Sequence, residues 1–272
     1  MKSFHLLIVL LLLLAACAKP PAPAPTSTAT LPPTAAPTAE PTAVPGVTLA
    51  YHEAAQIEMV TPAGRHVYID VFNTSMLDKK TPGPDDILLT THLHDDHFYR
   101  DFQESFPGKQ LFTQEGRIEL PDISITGVAA AHNSNDPIKA EGSNDYIYMI
   151  DVAGLRIAHF GDIGQIALTE TQLAALGTVD VAIMQFANSY SSMDSNNLKG
   201  FKLMDQVKPR LIIPTHSDQA TIKIAASRWK GYYSDSRAVT LSKDTLPANE
   251  SILVLGNLAV AYGALFKLAA WK

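Results

Sequence analysis

The stretch THLHDDHF, residues 91–98, places three histidines and two aspartates within eight residues. It directly follows a short apolar run that predicts a buried strand. His92 and His94 are two positions apart, and in an extended segment such side chains point to the same side and can reach one ion. Asp96 and His97 follow as the chain turns, toward a neighbouring position. Zinc accepts imidazole and carboxylate ligands, with manganese or iron as competitors, so the stretch predicts a metal site.

Apolar runs with strand character surround this stretch on both sides. Three of them, VTLAYH, AQIEMV and HVYIDVF, predict an opening β-meander, and DILLT leads into the histidines. Further strands are predicted at ISITGVAAA, YIYMIDV, LRIAHF, VDVAIMQ, RLIIPT and ESILVLG. Helical patterns cover about 166–176, 197–207 and 218–229, with a short helix after the cluster. The sum predicts an α/β fold with two layers of strands and helices outside.

Three later residues with metal-binding side chains also come where predicted strands end. His132 follows a strand in AAAHNS, Asp162 follows a glycine in LRIAHFGD, and His216 lies in RLIIPTHSD. Taken alone, the two histidines fit ordinary strand ends and the aspartate fits a turn.

Together with the first stretch, these segments resemble the metallo-β-lactamase fold superfamily of metal-dependent hydrolases, over nearly all of residues 47–256. The resemblance implies a four-layer αββα sandwich, in which two mixed β-sheets lie between outer helices. It implies two divalent metal ions, zinc first, with manganese or iron as alternatives. The implied ligands of one ion are His92, His94 and His132, those of the other are Asp96, His97 and His216, and Asp162 bridges the two.

Several further residues have predicted roles near or away from this site. Asp70 in YIDVF matches a family aspartate that orients a ligand histidine. His159 is predicted to be a core residue and His66 a surface residue. His52, in AYHEAAQIEM, resembles the Gly-His segment that opens the branch containing the L-ascorbate-6-phosphate lactonases, with Tyr51 replacing the glycine. An active-site role for His52 and a purely structural role are both open.

The resemblance implies an enzyme that cleaves an ester, lactone or phosphoester bond of a small-molecule substrate with a hydroxide bound by the two metals. Asp96, Asp162 and His52 are the predicted catalytic residues. Asn133, Asn188 and Tyr190, in polar loops, are candidate substrate contacts, although solvated loop positions would explain them too. A non-catalytic surface lipoprotein that captures metal or a small ligand is the alternative.

The lone cysteine of the chain limits both the chemistry and the topology. Because the chain has no cysteine besides Cys17, an internal disulfide is excluded, and so is a thiolate ligand in the metal site. This excludes the β-lactamases that have a cysteine in the second metal site. Lys2 and the apolar run 6–16 predict a signal peptide, and LAAC resembles a lipoprotein lipobox. A plain cleaved signal with an accidental cysteine is the other interpretation.

Three segments follow from this pattern along the chain. Residues 1–16 form the predicted signal peptide, 17–46 a lipidated cysteine with a Pro/Thr/Ala-rich tether, and 47–272 the hydrolase domain. The expected location is therefore the bacterial cell membrane or envelope, with the lipid as anchor. The net charge of -6 and pI of about 5.8 argue against a nucleic-acid partner.

Overall fold

The computed structural model describes residues 45–139, 142–256 and 259–272. The predicted signal peptide and nearly all of the predicted tether lie outside these ranges. Within them, every helix is too short or too polar to cross a lipid bilayer.

Strands dominate the described residues, with short helices between them. The strands are β1 (Val47–Glu53), β2 (Gln56–Val60), β3 (His66–Ile69), β4 (Ile87–Thr90), β5 (Lys109–Phe112), β6 (Gly116–Leu120), β7 (Ile123–Ala130), β8 (Asp145–Val152), β9 (Leu155–His159), β10 (Val181–Gln185), β11 (Leu211–Thr215), β12 (Lys230–Ser234), β13 (Ala238–Leu241), β14 (Ser251–Leu255) and β15 (Ala269–Ala270). The helices are α1 (Arg100–Ser105), α2 (Glu170–Leu176), α3 (Lys199–Val207), α4 (Gln219–Arg228) and α5 (Ala259–Phe266), with a 3-10 turn at Thr74–Met76.

Both sheets combine parallel and antiparallel strands. The first has the order β13-β1-β2-β3-β4-β5, and the second β15-β12-β14-β11-β10-β9-β8-β7-β6. Strands β1, β2 and β3 pair antiparallel, which confirms the predicted meander, whereas β3, β4 and β5 are parallel. In the second sheet β9, β10, β11 and β14 run parallel, and β6 to β9 alternate in direction.

The two sheets pack face to face on a shared apolar core. Ile57 and Ile69 of the first sheet belong to the same buried cluster as Tyr148 and Ile157 of the second. Each fully buried large apolar side chain of this kind stabilises the fold by about 1.5–3 kcal/mol. Because side chains alternate along a strand, the opposite faces are free to pack against helices.

Helices cover the outer faces of both sheets. Phe102 of α1 packs with Tyr68 and Leu88 on the outside of the first sheet. Helices α2, α3 and α4 bury side chains such as Phe201 and Ile222 on the outside of the second. The layers therefore run helix, sheet, sheet, helix, which confirms the predicted αββα sandwich.

The strands that precede the predicted metal ligands end at corresponding positions. Strand β4 leads into residues 91–98, and β7, β9 and β11 lead into His132, Asp162 and His216. Strands β7 and β9 both run antiparallel to β8, and β11 is parallel to β9 through β10, so these three end at one edge of the second sheet. The carboxyl ends of such strands are a common place for functional side chains.

Some element boundaries differ from the prediction. The helix predicted from about residue 166 begins only at Glu170, because Thr169 caps it: its side chain accepts from the Gln172 N–H, and the Gln172 side chain returns the contact. Strands β5, β6, β12 and β13 were not predicted. They are short and half exposed, so their residues lack the apolar runs that mark buried strands.

Candidate metal centre

The first predicted ligand group comes together at the ends of β4, β7 and β9. His92, His94, His132 and Asp162 each present one ligand atom, and these atoms all lie within 4.8 Å of one another. The ring centroids are 4.4 Å apart for His92 and His94, 4.6 Å for His94 and His132, and 5.0 Å for His92 and His132. Three imidazoles converging on one point suit a tetrahedral zinc site.

The second predicted group forms beside it from the end of β11 and the turn after His94. Asp96, His97 and His216 also present ligand atoms within 4.8 Å of one another. The Nε2 atom of His216 lies 3.4 Å from Nε2 of His97 and 3.8 Å from Oδ2 of Asp96. The Asp96 side chain is 44% exposed, so solvent reaches this group.

Asp162 lies between the two groups and offers one carboxylate oxygen to each. Its Oδ2 is 3.7 Å from Nε2 of His92 and 3.8 Å from Nε2 of His132. Its Oδ1 is 3.3 Å from Nε2 of His97 and 3.4 Å from Nε2 of His216. The seven residues predicted from the sequence are thus brought together. That they bind metal, and that Asp162 bridges two ions, stays a prediction.

The glycine before Asp162 makes this close approach possible. Gly161 has φ +53°, a left-handed conformation that residues with a Cβ rarely adopt. A Cβ on Gly161 would lie 2.4 Å from Oδ1 of Asp145 and 2.8 Å from the Cβ of Thr91. The GD pair therefore lets the chain turn sharply between the sheet and the ligand cluster.

Unpartnered polar atoms in the cluster fit a bound cation. Nε2 of His92, Nε2 of His132 and Oδ1 of Asp162 are buried, and the described residues supply no hydrogen-bond partner to them. Buried polar atoms nearly always have partners, so the two ring nitrogens on one side of Asp162 and its Oδ1 on the other fit cations bound at the two groups. When the imidazoles are neutral, their unprotonated nitrogens and the carboxylate oxygen carry lone pairs. Nitrogen and oxygen atoms of this kind are the ligands that zinc binds.

The protonation states also favour metal binding. Burial lowers the pKa of His92 to about 2, which leaves the ring neutral at physiological pH. Burial would raise the pKa of Asp162, but His132 and His97 outweigh it and hold that pKa far below the ordinary range. For His97, burial lowers the pKa, yet Asp70 and Asp162 raise it overall, so metal binding would displace a proton from this ring.

Asp70 supports the cluster from beneath, as predicted. It is fully buried and accepts hydrogen bonds from the Thr91 N–H at 2.8 Å and from Nε2 of His159 at 2.9 Å. Its Oδ2 lies 3.0 Å from Nδ1 of His97. A carboxylate behind one ring nitrogen turns the other nitrogen toward the metal position. His159 is buried, as predicted, and its contact with Asp70 links it to the site.

The sequence did not point to Asp145 as a site residue. This buried carboxyl at the start of β8 lies 3.5 Å from Nδ1 of His92 and accepts from the Asp162 N–H at 3.4 Å. Burial raises the pKa of Asp145 well above its ordinary range, and the charges of Asp162 and Asp70 add to the shift. It follows no spacing pattern that could have identified it.

The structure gives Asn188 a more specific place than a substrate loop. Its Nδ2 donates to Oδ2 of Asp162 at 2.5 Å, and its Oδ1 accepts from the Tyr190 N–H at 2.9 Å. Asn188 therefore orients the central carboxylate, while Tyr190, 76% exposed, stands at the rim of the cluster. Asn133, the third candidate, lies beside His132 with its Nδ2 3.2 Å from Nδ1 of that ring.

His52, the third predicted catalytic residue, is not grouped with the seven. It is buried with its Nε2 3.5 Å from Oε2 of Glu58, whose Oε1 is 2.7 Å from Nδ1 of His66. His66 is accordingly only half exposed and tied to Glu58. His52 lines a cavity that His216 also lines, so its active-site role stays a prediction.

Two mixed sheets between helices, with a two-part histidine and aspartate cluster at their edge, define the metallo-β-lactamase class of metal-binding proteins. The sequence model of one family, described as Beta-lactamase superfamily domain, matches residues 48–216, more than half of the chain. The chain belongs to this family.

Individual proteins agree with this placement. A "UPF0173 metal-dependent hydrolase" of Thermococcus onnurineus is 25% identical over 152 residues, which cover 48% of this chain and 66% of that relative. The crystal structure of a Thermotoga maritima protein assigned to the metallo-β-lactamase superfamily as a Zn-dependent hydrolase has a TM-score of 0.58 at 16% identity, covering 77% of this chain and 98% of that one. The metallo-β-lactamase fold protein YhfI of Bacillus subtilis has a TM-score of 0.50 at 10% identity, covering 76% and 96%. The two structures show a shared fold.

Proposed function

We propose that this protein is a metal-dependent hydrolase that uses two divalent ions to cleave an ester, lactone or phosphoester bond, with zinc as the preferred metal. The observation that carries the proposal is the position of Asp162, whose two oxygens face two separate histidine groups at 3.3–3.8 Å. Two ions held side by side are the arrangement that hydrolases use in displacement reactions. The name of the Thermococcus relative supports the same class of activity.

Bound divalent ions would supply a water acidified to near-neutral pKa and an electrophile for the oxygen of the scissile bond. The residues of the chain hold and orient the reactants. Asp162 and Asp96 would orient the water by accepting its hydrogen bonds, and the exposed edge of Asp96 can pass a proton to solvent. Asn188 fixes the rotation of Asp162, and Asp70 that of His97.

The resemblance of AYHEAAQIEM to the lactonase-containing branch supports lactones within this substrate range. The proposal includes an active-site role for His52, because His52 and His216 line the same cavity.

The test is metal analysis joined to a substrate screen on protein that lacks the tether. Purified protein loaded with zinc or manganese should hold about two ions per chain and hydrolyse at least one ester, lactone or phosphodiester. Protein that binds metal but hydrolyses none of these would support the alternative of a non-catalytic binder. Protein without stoichiometric metal would contradict both.

We also propose that Cys17 anchors the enzyme to the bacterial membrane through lipid, on the support of the apolar run 6–16 and LAAC. In cells given a radiolabelled fatty acid, the wild-type chain should carry label and stay with membranes. The Cys17→Ser variant should carry none. Equal labelling of both would rule the anchor out.

A further inference from the structure

Two cavities with different linings flank the histidine cluster. One, of about 340 Å³, is bounded by His92, His94 and His132 and by polar side chains that include Asn133, Ser143 and Asn144. The other, of about 570 Å³, is bounded by His94 and Asp96 together with Phe72, Leu93 and Tyr190. Because His94 and Leu93 border both, a substrate centred on the cluster can extend one arm into each.

The second cavity carries unusual apolar exposure. Leu93 is 56% exposed and Tyr190 76%, two of the seven large apolar side chains that are exposed in the described residues. The Tyr190 ring lies 6.1 Å from the ring of His94. Exposed apolar side chains grouped at a cavity beside polar groups mark a surface that binds an apolar ligand.

The charge lining both cavities is negative. Asp136 borders the polar cavity, and Asp95 and Asp96 border the apolar one. Among the described residues, neither cavity is lined by lysine or arginine. Lysine and arginine normally bind the charged groups that a substrate carries away from a metal centre, so the two cavities disfavour a substrate with an anionic group at the far end of either arm.

One arginine borders a different space beside the cluster. Arg237 lines a third cavity, of about 560 Å³, together with His52. Of the seven ligand residues, His216 is the one that this cavity reaches. An anionic substrate would have to approach through the cavity that Arg237 lines. The Arg237→Ala variant therefore tests this alternative.

From these linings we infer that the substrate is an uncharged ester or lactone whose apolar acyl arm lies against Phe72, Leu93 and Tyr190. The inference rests on the proposed function and narrows it to substrates that carry no charge away from the metal positions. The alcohol portion of the substrate occupies the polar cavity, within reach of Asn133 and Ser143. In the reaction the water oxygen bonds to the acyl carbon while the bond from that carbon to the alcohol oxygen breaks. One water proton goes to the alcohol, and the other is released as the acid product ionises.

A matched pair of chromogenic esters tests this assignment. Butyrate and succinate mono-esters of p-nitrophenol share a leaving group and nearly the same acyl length, but the succinate ends in a carboxylate. The zinc-loaded protein should show a kcat/KM at least about 10-fold higher for the butyrate, a size typical of discrimination by one pocket group. Asp95→Lys, in the cavity assigned to the acyl arm, should raise the kcat/KM for the succinate.

A serine substitution at each apolar position tests the proposed arm. Leu93→Ser and Tyr190→Ser should each lower the butyrate preference. Leu265→Ser is the matched control, because Leu265 on α5 is 55% exposed, almost the same as Leu93, and lines neither cavity.

Binding without turnover gives an independent measurement. Metal-free protein should show saturation-transfer NMR signals for hexanamide and weaker ones for the anionic match, adipic acid monoamide. The hexanamide signal should fall in Tyr190→Ser and persist in Leu265→Ser.

Three results would overturn the inference: equal or higher kcat/KM for the succinate, loss of succinate turnover in Arg237→Ala, or a Tyr190→Ser variant that behaves like Leu265→Ser. Failure of the loaded protein to hydrolyse these two esters and every substrate of the screen under Proposed function would instead contradict the proposed function. In that case the NMR comparison still decides whether the apolar arm is bound.

Discussion

Replacing Asp162 with alanine is expected to remove metal and turnover together. The carboxylate faces His92 and His132 with one oxygen and His97 and His216 with the other, so its loss takes a ligand from both positions at once. It also removes a negative charge that would offset the two proposed dications. Mutation of a residue that only hydrogen-bonds to a metal ligand costs about 10–100-fold in metal affinity or activity. The loss of affinity and activity on removal of a shared ligand should therefore exceed about 100-fold. Metal content by mass spectrometry and steady-state hydrolysis on one protein batch give the measurement.

Two further variants separate the role of Asp162 from a general loss of folding. Asp162→Asn keeps the shape and lets one oxygen accept from Asn188, but its amide group then faces His97 and His216 with donor hydrogens. It should retain fold and lose the second metal first. Asp180→Asn alters another buried aspartate, paired with Lys243 at the start of β10, and should lower stability while leaving metal content intact. Full activity in Asp162→Ala would refute the shared-ligand assignment.

The convergence of the predicted ligands was predictable because it follows local geometry. His92 and His94 share one side of an extended segment through the two-residue period of strands. His132, Asp162 and His216 each follow a strand of the second sheet, and parallel strands end at a common edge. Taken alone, the three later residues fitted ordinary strand ends and a turn. The resemblance to the family singled them out and implied how the seven side chains divide between two groups.

Contacts made across the fold could not be predicted in this way. Asp145 and Asn188 are single polar residues whose partners, His92 and Asp162, are far away along the chain. Only the pairing of β7, β8 and β9 brings Asp145 beneath the cluster. No periodic pattern in the sequence encodes that distance.

For His52 the sequence did contain a useful signal, in its position on β1. Leu49 points into the core between the sheets, so the two-residue alternation places His52 on the opposite face. Glu58, on the paired strand β2, emerges on that same face and meets it. The family-like segment around His52 suggested an active site, whereas the strand period indicated a place beside Glu58.

Asp70→Asn is expected to weaken metal binding although Asp70 itself faces no metal position. The Thr91 N–H is a fixed donor to Asp70, so the oxygen of the new amide must stay toward it. The amide nitrogen then faces Nδ1 of His97 and Nε2 of His159, where the carboxylate now lies within 3.0 Å. To accept from the amide, His97 must move its proton to Nε2, the nitrogen that should bind metal. Metal affinity should fall by about 10–100-fold.

The Asp70→Asn variant should also be less stable than the wild type. A control variant can separate this loss of stability from the loss of metal affinity. At neutral pH the variant should lose about 1–3 kcal/mol of unfolding free energy, because buried donors lose an ionised acceptor. Burial would raise the pKa of Asp70, but His97 and His159 hold it well below its ordinary range. A depressed carboxyl pKa stabilises the fold above the unfolded value, about 3.9, and this contribution disappears as pH falls through the lower folded value. The carboxyl part of the loss should therefore be constant across neutral pH. Because Asp70 also raises the pKa of His97, the part that comes from this pair should shrink as pH rises above the ordinary histidine pKa.

Asp86→Asn is the matched control for this second effect. Asp86 is buried at the opposite end of β4 and accepts from Lys79 at 2.7 Å and from the His66 N–H at 3.1 Å, so its substitution should also lower stability. Asp86 has no contact with the cluster, so the metal affinity of the Asp86→Asn variant should equal that of the wild type. Urea unfolding of metal-free protein and zinc titration together decide the matter. If Asp70→Asn lost stability but bound zinc as tightly as Asp86→Asn, Asp70 would be a folding residue, and the tautomer of His97 would have to be fixed by another group.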